Sequence, residues 1–160
     1  MKNLRVGLLG VGTVGGGSFD VLWRNQHEIT RRAGCEIRIT RVADMDLAKA
    51  KALVGDRAEV CDDGFSIVND PDIDVVIELV GGYGVAKSLV LGAIEQGKHV
   101  VTANKALLAV HGDEIFAAAR KKGVILAYEA AVAGGIPIIK ALREGLTANR
   151  IEWIAGIING

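Results

Sequence analysis

The sequence has no charge excess: 19 Lys and Arg balance 19 Asp and Glu. Without a basic surplus it lacks the electrostatic footprint that nucleic acid or an anionic membrane demands of a main partner. Its longest basic cluster, Arg120-Lys121-Lys122, ends a helical pattern before Gly123, where cations complement a helix C-terminus. Cysteine is scarce. Cys35 and Cys61 form no metal or redox spacing and point to a reducing compartment. His27, His99 and His111 fall in no ligand pattern. No apolar run approaches the length of a membrane span. Lys2 and Arg5 flank too few apolar residues for a secretory leader. Internal repeats and low-complexity tracts are absent as well. The expected location is cytoplasmic.

What remains is a chain of 160 residues, half of them hydrophobic, enough for one ordinary core and the start of a second. Short apolar runs alternate with helical patterns. Strands are expected at residues 4–9, 36–43, 74–80, 98–102 and 124–128. A long helix is expected over residues 13–33, with Val14, Val21, Leu22, Ile29 and Ala33 on one face and Gly34 as its left-handed cap. Further helices are expected at 46–54, with Asp46 as N-cap, at 86–96, and at 105–122 with a break near Gly112. Residues 55–73 are polar, with a short helix near Phe65–Val68. Strands alternating with helices imply an α/β fold: a Rossmann-like, doubly wound parallel sheet covered on both faces. From Ile136 the pattern changes. Pro137 suits a helix's first turn, Ile138, Ile139, Leu142 and Leu146 follow helical spacing to about Ala148, and residues 151–158 read as a strand. The expected division is a dinucleotide-binding domain, 1–133, and the beginning of a second α+β domain, 134–160. An unfinished strand at 151–158 would leave an apolar edge, and either self-association or a disordered end is expected.

Gly10-Val11-Gly12-Thr13-Val14-Gly15 follows the first strand and opens the first helix. The mechanism needs glycine three times: Gly10 for the tight turn, Gly12 for approach of backbone to a pyrophosphate, and Gly15 for close packing of helix on strand. The helix N-terminus then offers N–H groups and partial positive charge to the phosphates. Gly16 and Gly17 favour close packing but lower helix propensity. The acid that grips the cofactor's ribose is expected at the end of the second strand. Asp44 fits there, further along than the usual spacing of about 20 residues because the first helix is long. Asp46 competes but reads better as a cap. Ala43 precedes Asp44, and a carboxylate near the 2′ position repels a phosphate, so NAD is expected in preference to NADP.

Ligands of open parallel sheets sit beyond the C-terminal strand ends. Val80-Gly81-Gly82, Thr102-Ala103-Asn104-Lys105 and residues 129–136 occupy that edge. Gly81 and Gly82 would let backbone approach a ribose or nicotinamide, with an ordinary turn as the alternative. Lys105 could anchor a carboxylate or polarise a reacting oxygen, although a lysine opening a helix is often only solvated.

Together, Glu78-Leu-Val-Gly-Gly82, Val101-Thr-Ala-Asn-Lys-Ala106, Glu129-Ala-Ala-Val-Ala-Gly-Gly-Ile-Pro-Ile138 and Gly156-Ile-Ile-Asn-Gly160 resemble homoserine dehydrogenase, in that order and across essentially the whole chain. The resemblance implies an NAD(P)-dependent oxidoreductase that interconverts homoserine and aspartate 4-semialdehyde on the route to threonine, methionine and isoleucine. It implies that Lys105 lies beside the nicotinamide and the reacting oxygen. Contacts to the cofactor would come from Gly10, Val11, Gly12, Thr13, Val14, Gly15, Asp44, Val80, Gly81, Gly82, Thr102, Asn104 and Lys105. A sodium ion would be held by main-chain carbonyls of Glu129, Val132, Gly134 and Ile136. Many NADP users of the family carry an arginine before the second-strand acid, where Ala43 stands here.

In the family, the Asn-Gly ending continues into threonines and then a substrate and dimerisation domain. That domain supplies acids for the substrate's amino group and a second lysine for proton transfer. The parent enzyme is therefore expected to be a homodimer acting on a small molecule, and these 160 residues to bind cofactor with little or no turnover. Two other readings remain: a semialdehyde or imine reductase with a similar first domain, and a non-catalytic NAD-binding redox sensor.

Overall fold

The computed structural model describes residues 3–157. Six strands form one parallel sheet: β1 (Leu4–Leu9), β2 (Ile37–Ala43), β3 (Glu59–Cys61), β4 (Val75–Glu78), β5 (His99–Thr102) and β6 (Leu126–Ala127), in the order β3-β2-β1-β4-β5-β6. That order reverses at β1, and the reversal opens a crevice at the C-terminal edge between β1 and β4. Helices α1 (Thr13–Arg24), α2 (Gln26–Ala33), α3 (Leu47–Val54), α4 (Gly64–Val68), α5 (Gly84–Glu95) and α6 (Lys105–Lys122) connect the strands.

The sheet separates two cores. On one side Val6, Leu8, Val11, Phe19, Ile39, Val42, Ala50 and Val54 close against each other. On the other, Leu9, Ile67, Val76, Leu89, Val90, Val100, Leu107 and Ile115 do the same. Successive side chains of β1 thus serve opposite layers, as a sheet buried on both faces requires.

Several elements depart from the sequence pattern, each for a physical reason. The long first helix is two, interrupted at Asn25, whose φ of −102° and ψ of 16° end α1 while its carbonyl accepts the Ile29 N–H. Asn readily holds such a non-helical joint. Val14 and Val21, assigned to the buried face, are 57% and 44% exposed. Gly15 and Phe19 make the contact instead. Within the polar stretch, Glu59–Cys61 form an edge strand because Arg41, Val42 and Ala43 offer it a partner in register. Asp46 does cap α3, accepting the Lys49 N–H at 3.0 Å.

Helix α6 runs unbroken through Gly112, which is buried and lies where an added Cβ would stand 3.5 Å from the Phe116 ring. The expected helix to Ala148 is reduced to a turn, α7 (Ile138–Lys140), followed by wider π-type turns over Ala141–Gly145. None of its residues is buried, and short helices depend on packing. Residues 151–157 form no strand and are exposed. Ile158, and the Asn159-Gly160 ending of the family motif, lie outside the described residues.

Candidate functional site

Gly10 turns the chain out of β1 with a φ of +92°, a conformation that suits glycine, and a Cβ there would stand 2.7 Å from the Leu79 carbonyl oxygen. Gly15 crosses that turn so closely that a Cβ would lie 2.0 Å from the Gly10 carbonyl oxygen. Around Gly12 a Cβ would meet nothing within 4 Å. The three glycines therefore separate as their spacing implies: two are forced by the protein's own packing, and one faces open space at the start of α1. The residues between them differ in role. Val11 is buried in the core, whereas Thr13 and Val14 are exposed on the first turn.

Asp44 stands across the turn. One carboxyl oxygen accepts the Val11 N–H at 2.6 Å and the other the Asp46 N–H at 2.9 Å. The end of β2 is thereby braced onto the glycine turn. A cleft of about 410 Å³ opens here, lined by Gly10, Gly12, Asp44, Val80 and also by Met45, Lys49 and Asp62, which the sequence motifs did not mark. Its size is that of a small-molecule site. Asp62 is at the cleft because β3, the strand missed in the sequence, ends there.

On the other side of the crevice, Gly81 and Gly82 both hold left-handed backbone, φ +80° and +66°, with open space where side chains would be. Beneath them lies Glu78, fully buried. Its Oε1 accepts the Val80 N–H at 2.9 Å and an Asn104 side-chain N–H at 3.4 Å, and its Oε2 accepts the Thr102 hydroxyl at 2.6 Å. Thr102 Oγ1 in turn accepts the Asn104 N–H at 3.0 Å. The Asn104 amide nitrogen donates to the Gly82 carbonyl at 2.5 Å, and its side-chain oxygen caps α6 by accepting the Leu107 N–H at 3.0 Å. Thr102 and Asn104 thus direct their polar side-chain atoms inward. Lys105, next in the chain, is the first residue of α6 and is exposed. The motif Glu78-Leu-Val-Gly-Gly82 contains this acid without assigning it a role. The available signal was an acidic residue in the apolar run Asp74-Val-Val-Ile-Glu-Leu-Val80, since a buried acid must find donors.

The 129–136 segment leaves β6 through a 3₁₀ turn at Glu129–Ala131. Ala133 and Gly134 then adopt left-handed backbone, φ 54° and 59°. The Glu129 carbonyl accepts the Val132 N–H at 3.1 Å, and the Ile136 carbonyl accepts the Ile138 N–H at 2.8 Å. The Glu129 carboxyl caps α7 through the Ile139 and Lys140 N–H groups. Among the described residues, no cluster of three or more His, Cys, Asp or Glu side chains could hold a metal, and no helix is long and apolar enough to cross a membrane.

Residues 10–129 match the family described as homoserine dehydrogenase, NAD binding domain. The chain is 61% identical over its whole length to a homoserine dehydrogenase of Pseudomonas aeruginosa, covering 36% of that protein. It is 58% identical over its whole length to one of Methylobacillus glycogenes, covering 39% of it. Among solved structures, a homoserine dehydrogenase from Thiobacillus denitrificans superposes with a TM-score of 0.92 at 64% identity, over 99% of this chain and 37% of that one. The chain thus spans little more than a third of the length of the curated relatives it matches.

Proposed function

Because the chain belongs to the homoserine dehydrogenase NAD-binding domain family, we propose that it holds the dinucleotide for reversible hydride transfer between homoserine and aspartate 4-semialdehyde, with NAD preferred over NADP. The observation that carries this reading is the glycine turn: Gly10 and Gly15 are forced by packing, while Gly12 faces open space at the start of a helix. That is the arrangement a pyrophosphate needs, because backbone N–H groups and the helix dipole are then within its reach.

The residues present fit such a cofactor. Gly12, Thr13 and Val14 would receive the pyrophosphate, Asp44 the adenosine ribose, and Val80, Gly81 and Gly82 the nicotinamide half. When bound, the nicotinamide supplies or accepts the hydride. Lys105 would present its ammonium group to the substrate oxygen, holding a proton where negative charge develops as the aldehyde is reduced. Asp44 supports the NAD preference, since its carboxylate would face a 2′-phosphate, and Ala43, not an arginine, stands immediately before it. A sodium ion fits the 129–136 segment in one respect: successive left-handed residues redirect the main-chain carbonyls, and hard cations take oxygen ligands. Glu129, Val132, Gly134 and Ile136 would hold it and fix the loop beside the site.

We place the domain boundary at 133/134. Exposed Ile136, Leu146, Trp153 and Ile154 support a second domain beginning there. In the full-length protein this would contribute to a cytoplasmic homodimer that acts on a small molecule and has no nucleic-acid or membrane partner, in keeping with the balanced charge. The test is a pair of dissociation constants for NAD and NADP with this chain, together with turnover of homoserine by the full-length protein and its Lys105→Ala variant. Tighter NADP binding would refute the cofactor preference, and activity that survives Lys105→Ala would refute the role of the lysine.

A further inference from the structure

Glu78 and Thr102 are register partners on the last rung of β4 and β5, the point from which the two loops flanking the crevice depart. A fully buried acid at that rung is costly unless donors surround it. Here the donors come from both loops: the Val80 N–H from one, the Thr102 hydroxyl and Asn104 amide from the other. Asn104 then closes the ring by donating to the Gly82 carbonyl and capping α6, immediately before Lys105. Gly81 and Gly82 have nothing within 4 Å of their Cβ positions, so the turn faces open space where side chains would be.

We propose that Glu78 is a positioning residue for the nicotinamide ring of the cofactor, clamping the Gly81–Gly82 turn to the Thr102–Lys105 loop so that the ring contacts and the lysine hold one fixed separation. This rests on the cofactor reading given above. Glu78 touches neither cofactor nor substrate. It acts through the two loops it joins, and the adenosine half of the site, built on Gly10–Gly15 and Asp44, does not depend on it.

That independence gives the test. NADH and ADP-ribose share the adenosine diphosphate and one further ribose, but only NADH carries the nicotinamide ring. Their dissociation constants are measured for this chain and for Glu78→Leu, Glu78→Gln and Thr102→Val, with thermal melting to establish folding. Glu78→Leu should weaken NADH binding about tenfold, equivalent to ~1.4 kcal/mol, and ADP-ribose binding less than about twofold. Glu78→Gln should fall between, because its amide oxygen still serves Val80 and Asn104 while its NH₂ confronts the Thr102 hydroxyl. Should Glu78→Leu not fold, Glu78→Gln and Thr102→Val carry the same comparison. Equal weakening of both ligands, or unchanged NADH affinity, overturns the proposal. If the unaltered chain binds NADH no more tightly than ADP-ribose, or binds neither, the cofactor reading falls and this inference with it.

Discussion

At the Asp44 end of the crevice the protein offers backbone and one half-buried carboxyl group, whereas at the Gly81–Gly82 end a fully buried glutamate organises two loops from below. At the first end Gly10, Gly12 and Gly15 act within one turn, and Asp44 joins them from the neighbouring strand across 33 residues. The second depends on side chains 24 and 26 residues apart, Glu78 with Thr102 and Asn104. The difference teaches that one site can combine a locally encoded part, tolerant of little change in shape, with a part that exists only after the sheet has formed.

The hardest blow to the local end is Gly15→Val. A side chain 2.0 Å from the Gly10 carbonyl must push α1 off the sheet. The expected loss is about 3 kcal/mol or more of stability, measured by denaturant unfolding. A variant as stable as the parent would show that this helix–strand contact is not tight. Gly12→Ala sharpens the contrast: its Cβ meets nothing, so stability should stay within about 0.5 kcal/mol while dinucleotide affinity falls about tenfold. Calorimetric titration alongside melting separates the two effects, and unchanged affinity would remove Gly12 from the phosphate contact.

How legible each end was in the sequence follows the same division. The glycine turn and the Asp46 cap could be read directly, because each depends on neighbours in the chain, and Asp44 from its place at the end of β2, although its bond to the Val11 N–H spans 33 residues. Glu78 could not be assigned a role, because its donors are fixed by the register of β4 on β5. Strand β3 was hidden for the same reason: three residues become a strand only beside Arg41–Ala43. The division at Asn25 and the continuity through Gly112 were both misread, since helical spacing alone does not report whether a neighbouring layer supports the helix. The tail failed in the opposite sense. Its apolar periodicity promised a helix and a strand, but none of residues 138–157 is buried.

Asn104→Ala probes the long-range end. It removes the cap of α6, the bond to the Gly82 carbonyl and one donor to Glu78. The expected cost is about 1–2 kcal/mol, read from chemical denaturation. A loss below about 0.5 kcal/mol would mean that water replaces these bonds readily.

Asp70 provides the smallest effect and a control remote from both ends, since it precedes β4 at the opposite edge of the sheet. The Asp72 N–H, opposed by burial and assisted by the Arg41 guanidinium 3.1 Å away, holds its carboxyl below the ordinary value. A carboxyl that titrates lower when folded contributes stability above its unfolded pKa. That contribution is lost as pH falls through the folded value. Asp70→Asn should therefore flatten the fall in melting temperature between about pH 5 and about pH 2, with dinucleotide affinity at neutral pH untouched. An equally steep fall would assign the acid sensitivity to other carboxyls.

The brace on Asp44 bears on how a sugar would be met. With one oxygen on the Val11 N–H and the other on the Asp46 N–H, the side chain has lost its torsional freedom before any ligand arrives. Each oxygen keeps a spare lone pair, since a carboxylate offers about four acceptor directions. The ordering entropy, about 0.5–1.5 kcal/mol for a mobile side chain, is thus absorbed when the strands assemble and not at each encounter. Recognition of a ribose there would be a matter of fit to a fixed acceptor rather than capture by a wandering one.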